Sequence, residues 1–214
     1  QTSGDADVIL VPDFVATKAP RVGLILGPGG AKTLAHVGVL QELERHKLPI
    51  VAVAGLEWGA VWGALYALNG QSHEVDWKMS QLPKVDFSSN NLFSKKLQPI
   101  KSDEYTSYLQ KIFSSERMES TKIPFACPFS KKESANFVMA AKGRLRSSIK
   151  SCWMYPPLFS AAESTAAPYA LSESVKFLKK EGAELIVLVN VLDGSQQKDY
   201  SPWVEPELTW LVWL

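Results

Sequence analysis

Ile50-Val51-Ala52-Val53-Ala54-Gly55-Leu56-Glu57-Trp58-Gly59-Ala60-Val61-Trp62-Gly63-Ala64-Leu65 is the stretch from which the fold is read. Ile50–Ala54 is a short branched apolar run, which predicts a buried strand. Ala60–Leu68 is rich in small apolar residues and predicts a helix, with Asn69-Gly70 as its C-terminal stop. Upstream, Arg21–Leu26 predicts another buried strand, and Gly27-Pro28-Gly29-Gly30 a tight loop. Lys32–Lys47 then places Leu34, Val37, Leu40 and Leu43 at the spacing of a helix with one buried face, closed by Leu48-Pro49. Strand–helix–strand–helix over the first 70 residues predicts an α/β protein with a parallel sheet and right-handed crossovers.

Further on, Ser102-Asp103 caps a helix predicted over Glu104–Phe113, and Gln71–Ser102 reads mainly as loop with short helical pieces. Strands are expected at Ile123–Phe129 and Phe137–Ala140, helices at Arg144–Ser151 and Ala170–Glu181. The near-continuous apolar run Leu185–Leu192 has the character of a strand inside a parallel sheet. The tail Ser201–Leu214 carries Trp203, Trp210 and Trp213. These features divide the chain into a polar lead-in over 1–20, one domain over 21–192 and a Trp-rich tail over 193–214.

Composition narrows the function classes. The 214 residues are enough for one sizeable core. With 23 basic and 22 acidic residues the net charge is +1, without the basic excess of a nucleic-acid binder. No apolar run approaches the ~20 residues that span a bilayer. Cys127 and Cys152 exclude a disulfide scaffold. The simpler reading is two free buried thiols; a single bridge is open to them in an oxidising compartment. No Cys/His spacing suggests a metal, and no cofactor is expected. The chain opens at Gln1, without methionine, on a polar stretch. That fits a bacterial cell-envelope or secreted protein, such as a trimmed lipoprotein, and equally a trimmed cytoplasmic chain.

The glycine loop does not fit the nucleotide motifs. A Walker loop needs glycine directly before its Lys-Ser/Thr pair, and Ala31 stands there. A dinucleotide fingerprint needs a third glycine where Lys32 stands, and an acid about twenty residues on. The turn Gly55-Leu56-Glu57-Trp58-Gly59 is more telling. A strand turning sharply into a helix is where serine hydrolases hold Gly-x-Ser-x-Gly, because the strained turn lifts the nucleophile out of the sheet. Here the middle residue is Glu57.

Gly23–Lys32 and Leu34–Leu40, together with Ile50–Gly55 and Gly59–Ala67, resemble the patatin-like phospholipase family. Gly143–Cys152, Pro156–Phe159 and Gly182–Val191 extend the likeness less sharply. The resemblance implies a three-layer α/β fold with a mainly parallel central sheet. It implies that Gly27, Gly29 and Gly30 belong to an oxyanion loop followed by a basic residue, Lys32, and that Gly55 and Gly59 frame the turn that carries a catalytic serine. It also implies a catalytic aspartate in an Asp-Gly-Gly/Ala motif. This chain departs at three points. Glu57 replaces the serine. Ser160–Ala167 reads SAAESTAA, with Glu163 its only acid, and Asp193-Gly194 comes after the last core strand. Pro28 replaces a glycine, and Thr33 follows the basic residue.

The expectation is therefore a domain without catalytic residues that binds a lipid, an acyl ligand, a protein partner or a second copy of itself. Two alternatives stand beside it: an acyl hydrolase with relocated groups, such as Ser160 or Ser164, and an interaction module built on the Trp-rich tail. A Glu57 carboxylate attacking an acyl carbon forms an anhydride, a poor route without special activation. The alternative is that Glu57 contacts the N–H groups of Gly29 or Gly30, or Lys32. Trp58 and Trp62 line an apolar pocket or fill the core, with core the simpler reading. His36 reads as structural.

Overall fold

A computed structural model describes residues 19–82, 102–131, 137–154, 164–192 and 211–213, with backbone alone at 102–104 and 211–213. The polar opening, Pro156–Phe159, Ser160, Glu163, Asp193-Gly194, Trp203 and Trp210 lie outside the described residues.

Strands β1 (Val22–Leu26) and β2 (Ile50–Gly55) lie side by side in parallel, with Leu24 against Val53 and Leu26 against Gly55. β3 (Phe125–Lys131) joins β2 in parallel. β4 (Phe137–Ala140) and the short β5 (Ser164–Ala166) both pair antiparallel with β3. β6 (Leu185–Val189) flanks β1 on its other side, and β7 (Leu211–Trp213) closes that edge in parallel. The order is β4-β3-β2-β1-β6-β7, with β5 off this path. The sheet is mainly parallel, as expected.

The strands alternate their faces. Leu24, Leu26 and Val53 share one buried cluster with helices α1 (His36–Arg45), α2 (Trp58–Asn69) and α5 (Leu145–Trp153). Ile25, Ala52, Ala54, Ile186 and Leu188 meet Leu171, Val175 and Leu178 of α6 (Leu171–Lys180) on the opposite face. Side chains two apart on a strand share a face, so two apolar faces force two helical layers. Helices α3 (Ser72–Met79) and α4 (Ser102–Ile112) complete the first layer. Among the described residues no helix is long and apolar enough to cross a membrane.

Several expectations need correction. The helix predicted over Lys32–Lys47 begins as a 3-10 turn, Gly30–Ala35, and becomes α-helical only at His36. A 3-10 turn advances three residues per turn, so Leu34 rotates out of the α phase and is 42% exposed. Thr33 and His36 take the inward positions and are fully buried. One short helical piece expected within Gln71–Ser102 is α3, whose first residue Ser72 donates its N–H and its hydroxyl to the Glu44 carboxylate at 2.6 and 2.7 Å. Cys127 and Cys152 are not free thiols: they form a disulfide between β3 and α5. Their spacing of 25 residues carries no sign of this, because only the packing of α5 on β3 brings them together. The described part of the tail, β7, hydrogen-bonds to β6 and belongs to the sheet. The reading of the tail as a partner-docking arm loses its main support.

Candidate functional site

Strand order reverses about β1, which has β2 on one side and β6 on the other. The carboxyl ends of strands at such a switch point form the crevice where open α/β sheets hold their sites. Two turns meet there. Gly27, after β1, donates its N–H to the Val189 carbonyl at the end of β6 (3.0 Å), and Leu56, after β2, donates to the Leu26 carbonyl (2.9 Å). The glycine loop is thereby pinned to the end of β6, and the β2–α2 turn to the end of β1.

The glycines in both turns answer to close backbone approach. A Cβ on Gly59 would fall on the Leu26 carbonyl oxygen and lie 2.7 Å from the Gly27 carbonyl oxygen. A Cβ on Gly55 would strike the Cα of Ala60. The frame Gly55-x-x-x-Gly59 is thus what allows α2 to rise directly off β2 and cross β1. Between them Glu57 holds φ 52° and ψ −121°. A non-glycine residue stays there only when its surroundings impose it, at about 1–3 kcal/mol.

The Glu57 side chain turns toward the glycine loop. Its Oε2 accepts the N–H of Gly29 at 2.8 Å and of Gly30 at 3.3 Å. Burial raises its pKa above the ordinary glutamate value of 4.5; the N–H groups of Gly29, Gly30 and Trp58 pull it down, but less. The residue is 6% exposed. Gly29 (φ 151°) and Gly30 (φ 55°) both need the freedom of glycine to aim their N–H groups this way.

The loop is also held from behind. Thr33 Oγ1 donates to the Gly30 carbonyl at 2.6 Å and accepts the Trp62 indole N–H at 2.8 Å. In the sequence Thr33 stands out only as a departure from the family pattern. Its partner Trp62 lies 29 positions away, so no local pattern could signal the relay. Lys32 is exposed on the 3-10 turn.

Trp58 and Trp62 are core residues. Trp62 is fully buried and Trp58 nearly so. The Trp58 ring meets Trp153 edge-on at 4.9 Å and Tyr105 at 5.8 Å, a geometry that adds to the stabilisation from burial alone. His36 is buried at the start of α1, where the Val189 backbone faces its ring without reaching full hydrogen-bond geometry. Ser164 donates its hydroxyl to Ser151 Oγ at 2.9 Å, and among the described residues no acid or imidazole hydrogen-bonds to this pair. An open hollow of about 560 Å³ lies between β3, β4 and α5, with Phe129 and Val138 on the strand side and Ser148 and Ser151 on the helix. No described cluster of acids, histidines or cysteines could hold a metal ion.

A mainly parallel sheet between two helical layers, with a glycine loop after its first strand and a glycine-framed strand–helix turn after its second, defines a three-layer α/β protein with its candidate site at the carboxyl end of the sheet. The sequence pattern of the Patatin-like phospholipase family matches residues 24–182, and the chain belongs to that family. Among curated proteins it is similar to Lysophospholipase NTE1 of Meyerozyma guilliermondii (26% identical over 179 residues). It is also similar to the proteins of that name from Candida albicans (26% over 179) and Cryptococcus neoformans var. neoformans (26% over 191). These alignments take in 79%, 79% and 84% of this chain but only 12%, 13% and 12% of the relatives. The chain spans about one eighth of their length.

Proposed function

We propose that this chain is a non-hydrolytic patatin-like domain that binds an acyl ligand without cleaving it. One observation carries the reading: the turn that would present a serine presents Glu57, and its carboxylate lies on the N–H groups of Gly29 and Gly30. In this reading the glycine loop is the oxyanion loop. Donors aimed at a developing oxyanion are worth about 10²–10³ in rate each. Donors already engaged by a carboxylate are not available for that work. Glu57 is itself a poor acyl nucleophile, since its attack would leave an anhydride. The relatives' name, lysophospholipase, supports an acyl-bearing lipid as the ligand class. The buried Cys127–Cys152 bridge supports an oxidising, extracytoplasmic setting.

The test is ester hydrolysis by the full chain and by Glu57→Ala, with nitrophenyl esters of several chain lengths and a lysophospholipid. Neither protein is expected to turn over any of them above buffer, and solvent extracts of the native protein should contain acyl lipid by mass spectrometry. Turnover that disappears in Glu57→Ala would make the glutamate catalytic and overturn the reading. Equal turnover in both would place chemistry elsewhere in the chain and overturn it as well.

A further inference from the structure

We propose that the outer edge of β4 is a docking strand for an extended acidic peptide of a partner protein, which adds to the sheet in the groove between β4 and α5. The groove stands apart from the glycine loop, because β3 and β2 lie between β4 and the strand that carries that loop.

The ladder leaves this edge with bonds to give. Backbone groups along a strand turn alternately to its two neighbours. The Pro124 carbonyl accepts the Val53 N–H of β2 at 2.9 Å. Ala126 and Pro128 therefore turn the same way as Pro124, and Cys127 and Phe129 turn to β4. These two stand opposite Ala140 and Val138. Met139, opposite Pro128, aims its N–H and C=O away from β3, and Phe137 does the same. Among the described residues no strand pairs with that side. Such an edge is a template for another strand.

The hollow of about 560 Å³ borders the same edge. The unbroken run 138–142 lines it, facing Ser147 and Ser151 of α5, with Phe129 behind. Side chains on a strand alternate between faces, so successive residues line one space together where their backbone edge borders it. An edge strand and a helix across a groove take up a peptide by strand addition, in which main-chain bonds give affinity and alternate side chains give specificity. Charge selects the peptide. Lys142 lines the groove at the carboxyl end of β4, no acid lines it, and α5 carries none. Arg144 is exposed two residues on. Glu119, which accepts the Gly143 N–H, is paired with Arg117 at 3.0 Å. Among the described residues neither Lys142 nor Arg144 has an ion-pair partner. An acidic residue at one end of the peptide answers them, and alternate apolar side chains meet Phe129.

The experiment is selection of a phage-displayed random heptapeptide library on the full chain, followed by anisotropy titration of the enriched sequences as labelled synthetic peptides. The expected sequences alternate apolar residues and carry an acidic residue at one end. Met139→Pro removes the outward N–H and leaves the bonds to β3 in place, since proline is tolerated on an edge. It should weaken binding about tenfold or more, whereas Met139→Leu, which keeps the N–H, should bind as the unsubstituted protein does. Lys142→Glu should weaken binding of the acidic peptides about fivefold or more. Should Met139→Pro fail to fold, two peptide sets N-methylated at the odd or the even backbone positions decide it on the unsubstituted protein. One set should lose binding and the other keep it, because alternate N–H groups face the edge. Enrichment of no peptide family, unchanged affinity of Met139→Pro or of Lys142→Glu, or equal behaviour of the two N-methylated sets overturns the proposal.

Discussion

His36 takes its place in the core with no exposed surface. Burial pushes its imidazole down to about 3, and the Val189 carbonyl offsets only part of that. The sign of the consequence is fixed. Below its ordinary 6.5 the unfolded chain takes up a proton that the folded chain refuses until about 3. The stability contributed by neutral His36 is therefore full above pH 6.5 and is lost as pH falls through that window, at up to about 1.4 kcal/mol per pH unit. Glu57 acts oppositely. Its carboxyl is raised, so the folded state takes up that proton first on acidification. His36→Leu separates the two: the difference in unfolding free energy between this variant and the unsubstituted protein, measured in urea at pH 7, 6 and 5, should shift in favour of the variant as pH falls. A pH-independent difference would contradict the burial of a neutral ring. The position of His36 within a helical sequence was legible from spacing. Its inward direction was not, because that depends on where the 3-10 turn hands over to α1.

At the scale of elements, the decisive contact is α2 crossing the ends of β1 and β2. Gly59 and Gly63 both lie on α2, yet they answer to different neighbours. The added methyl of Gly59→Ala would run into the Leu26 carbonyl oxygen, which is backbone and cannot yield without moving β1. That of Gly63→Ala would lie 3.1 and 3.2 Å from side-chain atoms of Phe125 and Val53, which can give by tenths of an ångström. Alanine also favours a helix interior over glycine by about 1 kcal/mol. Gly59→Ala should cost about 2–4 kcal/mol, whereas Gly63→Ala should be near neutral. Chemical denaturation of the two variants checks the contrast, and equal losses would mean that the close approach at Gly59 is not limiting. Both glycines stand out in the sequence as a small-residue pattern. Which of them is indispensable follows only from what each one touches.

For the whole molecule, the Cys127–Cys152 bridge ties β3 to α5, and α5 ends on Trp153, whose ring packs edge-on against Trp58 beside Glu57. Both sulfurs are buried. Closing a loop of 25 residues restricts the unfolded chain by about 3.5 kcal/mol in the loop-entropy account. Unfolding in urea with and without a reductant, and of the double variant Cys127→Ala with Cys152→Ala, should show a loss of that order. A loss well under 1 kcal/mol would mean that packing of α5 on β3 already does the bridge's work.

The apolar runs and their glycine stops determined the strands β1, β2 and β6, the helices α2 and α6, the parallel sheet and the frame in which Glu57 replaces a serine, since period, turn chemistry and residue identity are all local. Tertiary structure alone decided where the Glu57 carboxylate goes, that Trp62 holds Thr33, that the two cysteines bond and that Leu211–Trp213 completes the sheet. Each of these joins residues at least 25 positions apart. Such pairings form only once the layers have closed, when burial leaves each polar group no partner but the one that the packing supplies.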